Sequence, residues 1–128
     1  MAVKVIQTEK APGAVGPYSQ AIQAGDFLFA SGQIAINPEK GKIVADTVKG
    51  QAEQCMKNVG AILEAAGLTF DDVVKTTVYI TNMDFFAVVN EIYGNYFHKT
   101  LPARSCVEIC SLPKQALVEV EVIAYKGK

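Results

Sequence analysis

A change of hydrophobic period, made twice in mid-chain, restricts the fold more than any other feature. Val48, Ala52, Cys55, Met56, Val59, Ile62, Leu63 and Ala66 recur at helical spacing. Thr47 stands where an N-cap belongs, and Gly67 where a helix stops. Asp72 to Thr81 then alternates. Val74, Thr76, Val78 and Ile80 are expected on one side, with Val73, Lys75, Thr77 and Tyr79 on the other. Helical spacing returns in Phe85, Val88, Val89, Ile92 and Tyr96, with Asp84 as the expected cap and Pro102 beyond the end. Two helices separated by a strand require a sheet for the helices to cover.

The flanks supply that sheet. Ala11 to Pro17 is a turn-rich lead-in. Tyr18 to Ala24 reads as a strand, Gly25-Asp26 as a hairpin turn, and Phe27 to Ser31 as a short apolar strand. Asn37 to Lys42 is a surface loop. Beyond the second helix, Ala103 to Ile109 and Ala116 to Tyr125 read as strands, with Ser111 to Lys114 expected to join them as an antiparallel pair. The fold class is α+β, a mixed sheet with two helices on one face. The other face has no helix left to cover it, so an oligomer is expected there.

At 128 residues and 13.7 kDa the chain is a single domain, 1–128. Half its residues are hydrophobic and its mean hydropathy is +0.19, so some apolar surface is expected in a subunit interface. A net charge of −1 and a pI near 5.8 give no reason to expect nucleic acid or an anionic membrane as partner. Cys55, Cys106 and Cys110 are odd in number and lack the spacing of a disulfide framework or a zinc site. Met1 to Gln7 has no signal-peptide apolar region, and no run approaches the ~18 apolar residues of a membrane span. The expected location is the cytoplasm, with reduced thiols.

Of twelve basic residues eleven are lysines; the one arginine is Arg104, just after Pro102-Ala103. Its planar guanidinium grips a carboxylate or phosphate with two parallel hydrogen bonds, which a lysine cannot do. It can serve a structural ion pair or an anion site. Alternation puts Arg104, Cys106 and Glu108 on one face of their strand. In the last strand Leu117, Glu119, Glu121, Ile123 and Tyr125 share a face. Glu119 lies in a run that reads as buried, where a carboxylate needs a partner or a task. If the two strands pair, Glu119 and Arg104 approach one another. They either neutralise each other or divide a site, Arg104 taking a carboxylate and Glu119 handling water.

Gly16-Pro17-Tyr18-Ser19-Gln20-Ala21, Ser31-Gly32-Gln33-Ile34, Pro102 to Glu108 and Leu117 to Glu121 together resemble the Rid/YjgF/YER/UK family of reactive-intermediate deaminases, most closely its RidA branch. The resemblance covers essentially the whole chain. Cys110-Ser111 and Val120 depart from the family pattern, both at the periphery. The resemblance implies a chorismate-mutase-like fold with a six-stranded mixed sheet, a homotrimer and clefts between subunits. It implies hydrolysis of 2-imino acids such as 2-iminobutanoate and 2-iminopropanoate to 2-oxo acids and ammonia, with no metal or cofactor. Arg104 would bind the substrate carboxylate and Glu119 would hold and activate water. Tyr18, Ser31, Gly32, Asn90 and Cys106 would line the cleft, Gly32 letting the backbone approach the ligand.

Other readings stay open at this level. Cys106 is a nucleophile if Arg104 activates it, and a packing residue otherwise. His98, the single histidine, reads as a surface residue at a helix end. The same clefts suit a non-catalytic binder of 2-oxo acids that regulates another protein. An RNA-cleaving role, also associated with the family, fits poorly with the acidic pI and the lone histidine.

Overall fold

A computed structural model describes residues 3–127; Met1, Ala2 and Lys128 of the expected 1–128 domain lie outside the described residues. In chain order the elements are β1 (Val3–Ile6), β2 (Ala21–Ala24), β3 (Phe27–Ala30), β4 (Ile36–Asn37), β5 (Lys42–Ile43), α1 (Val48–Ala65), β6 (Val73–Ile80), α2 (Phe86–Gly94), β7 (Ala103–Glu108) and β8 (Val118–Tyr125). Six strands form one mixed sheet in the order β1-β2-β3-β8-β6-β7, and β4 and β5 form a separate two-stranded ribbon. The α+β class with two helices is as expected. β1, in the segment before the lead-in, is a strand the sequence reading did not include.

The expected antiparallel pairing of the last two strands does not occur. β6 lies between them, antiparallel to β8 and parallel to β7. Two causes combine. β6 and β8 are the two eight-residue strands, and they pair along almost their whole length. The α2 crossover then returns the chain to the free side of β6, as a parallel βαβ unit requires. β7, with no buried residue, is left as the edge.

Side-chain capping and a glycine mark the boundaries of α1 and the approach to α2. Thr47 Oγ1 accepts the Gly50 N–H at 3.1 Å and opens α1; Gly67, at φ +76°, turns the chain away after it. Asp84 is not the second cap. The Asn82 side chain accepts the Asp84 N–H at 2.8 Å and starts a 3₁₀ turn, Met83–Phe85, that leads into α2. β6 carries the second departure. A bulge between Val73 and Lys75 makes Val73 buried and Val74 exposed, reversing the expected sides at that end only. From Lys75 onward the expected alternation holds, with Thr76, Val78 and Ile80 buried.

The core lies between the helices and one face of the sheet. Met56, Val59, Ile62 and Leu63 of α1 meet Leu28, Val78, Ile80, Val118, Val120 and Val122. Each of these large side chains contributes roughly 1.5–3 kcal/mol by leaving water. Cys55 is fully buried here, as its spacing predicts. From α2, Val89, Ile92 and Tyr93 are buried, while Phe85, Val88 and Tyr96 of the expected stripe are only partly covered. The opposite face is uncovered, and toward β1 to β3 it is apolar: Val3, Val5, Phe27, Phe29 and Tyr125 are between 39% and 56% exposed. No helix among the described residues is long and apolar enough to cross a membrane.

Candidate functional site

Arg104 is on edge strand β7, directly across from Thr76 of β6, which is itself across from Val122 of β8. Thr76 and Val122 are buried, so Arg104 is on the helix-covered face. Its guanidinium lies over the Tyr93 ring, 4.9 Å from the centroid, and 5.5 Å from that of Phe86. One Nη1–H donates to Asn90 Oδ1 at 2.7 Å. Phe86, Asn90 and Tyr93 follow i, i+4, i+7 spacing, one stripe of α2. The Tyr93 hydroxyl is fixed in turn by a 2.7 Å hydrogen bond with buried Thr76.

Among the described residues Arg104 has no carboxylate within ion-pair distance; the pair that does form is exposed, Lys10 with Glu64 at 3.9 Å. Within one copy, then, Arg104 and Glu119 do not neutralise each other. A guanidinium has five N–H donors, and only one is engaged. Cys106 shares this face, with its thiol pushed up by burial and only partly pulled back by Arg104. That direction opposes a nucleophilic thiolate and favours a packing role.

Glu119 belongs to the other face. It opposes Tyr79, three residues from Thr76 and of opposite parity. With Tyr18, Ser31, Gly32 and Glu121 it lines a cavity of about 490 Å³. After β3 the chain stays beside β8 because Gln33 and Val120 exchange backbone hydrogen bonds of 2.8 and 3.0 Å. That pairing sets Gly32 against Glu119: a Cβ there would lie 2.7 Å from Glu119 Cδ and would overlap its carboxylate oxygen. The missing side chain makes room for Glu119, a need distinct from the backbone-to-ligand approach expected of it. Ser31 Oγ donates to the Ser19 carbonyl at 2.7 Å. Tyr18 precedes β2 instead of lying in it, and its hydroxyl accepts the Val15 N–H at 3.3 Å. The buried Gln20 side chain holds the lead-in through Thr8, Ala11 and Pro12.

Glu119 is half-buried and has no hydrogen-bond donor from the protein among the described residues. Burial raises its pKa above the ordinary carboxylate range, and the neighbouring Glu121 raises it further. A partnerless carboxylate with raised proton affinity is suited to taking up and returning a proton.

The seven expected site residues thus fall into two groups on one copy. Asn90, Arg104 and Cys106 lie on the helix side of the edge strand. Tyr18, Ser31, Gly32 and Glu119 lie at the uncovered side, two strands away. Phe86, Tyr93 and Glu121 were not anticipated as site residues. The α2 spacing and the shared parity of Glu119 and Glu121 were the available signals. His98 is exposed and lines a separate shallow cleft with Phe70 and Tyr96.

A family model described as endoribonuclease L-PSP matches residues 8–126. A RutC family protein of Pyrococcus horikoshii is 54% identical over 96% of this chain and 98% of its own length. The 2-iminobutanoate/2-iminopropanoate deaminase of mouse is 48% identical over 97% of this chain and 92% of its own. The crystal structure of E. coli TdcF with bound serine superposes with a TM-score of 0.93 at 45% identity, covering 97% of this chain and 99% of that one.

Proposed function

The chain belongs to the endoribonuclease L-PSP family, the YjgF/Rid proteins, and from that premise we propose that it hydrolyses 2-imino acids to 2-oxo acids and ammonia. The observation that carries the reading is the pair of unpaired charges: a guanidinium on an aromatic platform with no acid partner, and a half-buried carboxylate with no donor. Each lacks what a 2-imino acid and a water would supply.

In the proposed reaction Arg104 takes the substrate carboxylate with two parallel hydrogen bonds, which aims the adjacent C=N carbon. Glu119 accepts a proton from water as its oxygen bonds to that carbon. That proton passes to the nitrogen, giving a carbinolamine; Glu119 then takes the hydroxyl proton and delivers it to the amine as the C–N bond breaks, so that ammonia leaves and the oxygen closes to the carbonyl of a 2-oxo acid. The named substrates of the mouse relative, 2-iminobutanoate and 2-iminopropanoate, are the substrates proposed here.

One copy directs Arg104 and Glu119 to opposite faces of the sheet, so the proposed site is formed between copies. Arg104 of one copy meets the Tyr18, Ser31, Gly32 and Glu119 cavity of the next. The apolar uncovered face supplies the contact, and the proposed assembly is a homotrimer of about three times 13.7 kDa.

The test begins with 2-iminobutanoate generated from threonine and trapped by semicarbazide. Wild type should suppress trapping, and Arg104→Ala and Glu119→Ala should each fail to. Unfolding and refolding the two variants together should restore activity in about a quarter of the clefts, because only some combine an intact Arg104 with an intact Glu119. Wild type that leaves trapping unchanged would refute the reaction; no rescue in refolded mixed oligomers would refute the shared site.

A non-catalytic carboxylate binder is the second reading, favoured by the serine bound to TdcF. It predicts that Glu119→Ala leaves all function intact, whereas a deaminase loses turnover and keeps 2-oxo acid binding.

A further inference from the structure

We propose that Glu121, held in place by the Tyr79 hydroxyl, is a positioning residue that makes Glu119 able to keep a proton long enough to return it to the leaving amine. The inference rests on the deaminase reading above. Glu119 and Glu121 are two residues apart on β8, so they share the uncovered face, and both line the 490 Å³ cavity. That spacing is about 7 Å, close enough for two carboxylates to interact in a partly closed cleft.

Tyr79 decides how they differ. It stands directly across from Glu119, yet its hydroxyl donates to Glu121 Oε1 at 2.7 Å. The cross-strand neighbour of Glu121 itself is Thr77. The diagonal bond has two effects. It withholds from Glu119 the donor best placed to stabilise its ionised form. It also fixes the negative charge of Glu121 at a set position beside Glu119. Both favour protonated Glu119. The raised proton affinity of Glu119 agrees, with burial as its first cause and Glu121 as its second. Tyr79 is raised as well, chiefly by its bond to Glu121, so it remains a phenol donor.

Within one copy the other titratable groups around the pair do not supply a competing donor; across the proposed interface Arg104 of the adjoining copy opposes the rise, and in the proposed reaction its charge is met by the substrate carboxylate. On β6 the next one on this face is Lys75, whose Nζ donates to Ser105 Oγ at 3.3 Å. β7 presents Ala103, Ser105 and Val107 here, and β3 presents Phe27 and Phe29. Tyr18 and Lys114 are on the cavity wall, and Lys114 forms no ion pair among the described residues. Cys55 lies below the sheet, and its thiol is pushed far up by burial, with the Glu119 charge adding to the rise. Imine hydrolysis moves two protons in turn from oxygen to nitrogen, and the group that carries them must hold each one until the nitrogen receives it. A carboxylate of ordinary affinity would lose that proton to solvent near neutral pH.

The test compares wild type with Glu121→Gln in ¹³C-labelled protein, following the side-chain carboxyl signals with pH; Glu119→Gln identifies the Glu119 signal. Glutamine still accepts the Tyr79 hydrogen bond, so the fold is kept while the charge is removed. The Glu119 midpoint should fall in Glu121→Gln. The acidic limb of the kcat profile should move to lower pH with it, kcat at neutral pH should drop several-fold, and KM should stay within about two-fold. Tyr79→Phe should also lower the midpoint, because Glu121 is released. An unmoved midpoint in active Glu121→Gln overturns the proposal and leaves the deaminase reading standing. So does a midpoint that moves without the kcat limb following. A wild type that titrates as described but releases no oxo acid overturns the deaminase reading, and this proposal with it.

Discussion

Replacing Gly32 by Ala should separate stability from catalysis. The backbone at this point is held by the two Gln33–Val120 hydrogen bonds, of 2.8 and 3.0 Å, and cannot easily retreat. An added Cβ would lie 2.7 Å from Glu119 Cδ and 3.0 Å from Cγ. Carbon atoms rest near 3.5–4.0 Å, so the carboxyl group must move by about 1 Å. It is the far end of a flexible side chain, and turning it some 30° from its rotamer costs about 1 kcal/mol. Folding should therefore survive, with urea unfolding at fixed protein concentration shifted by about 1 kcal/mol or less. A misplacement of about 1 Å at a reacting group costs on the order of 100-fold in rate, near 2.7 kcal/mol of barrier. The steady-state expectation is a loss of that size in kcat, with KM nearly unchanged because Arg104 is untouched. Unchanged kcat would refute the placement of Glu119 at the chemistry. Loss of activity together with loss of the folded oligomer would refute the claim that Gly32 serves the carboxyl group and not the backbone.

Thr76→Val keeps shape but strands the buried Tyr93 hydroxyl; it should cost about 1–3 kcal/mol in urea unfolding and weaken 2-oxo acid binding through the Arg104 platform, and an unchanged midpoint would show that the hydroxyl finds another partner. Glu119→Gln should unfold at higher temperature than wild type at pH 7. The folded chain holds the Glu119 proton more tightly than the unfolded chain does. Wild-type stability therefore falls as pH rises from the ordinary value of 4.5 through the raised folded one, and the advantage of the variant should shrink below pH 4.5. Scanning calorimetry across that range at one protomer concentration reads the sign directly, and a constant difference would contradict it.

The elements were legible because their signals are local. Helical spacing and the Thr47 and Gly67 punctuation located α1 to within a residue, and alternation located β6, β7 and β8. Local signals misled where one residue changes the phase: the bulge at Val74 reversed the end of β6, and Asn82 took the cap assigned to Asp84. The motifs named the family, and alternation alone placed Arg104 with Cys106, and Glu119 with Glu121, on common faces.

What the sequence could not decide is how those faces relate. Strand order depends on pairings between residues far apart in the chain, and nothing in the Ser111–Lys114 segment shows that β8 joins β6 instead of β7. Inserting β6 moved Arg104 two strands from Glu119, and the register set the two at opposite parity. The approach of Arg104 to Glu119 that pairing of the last two strands would have allowed does not occur within one copy. Residue chemistry was fixed by the sequence; which charges meet, and that one copy cannot bring Arg104 to Glu119, was decided only by the hydrogen-bonded register of the sheet.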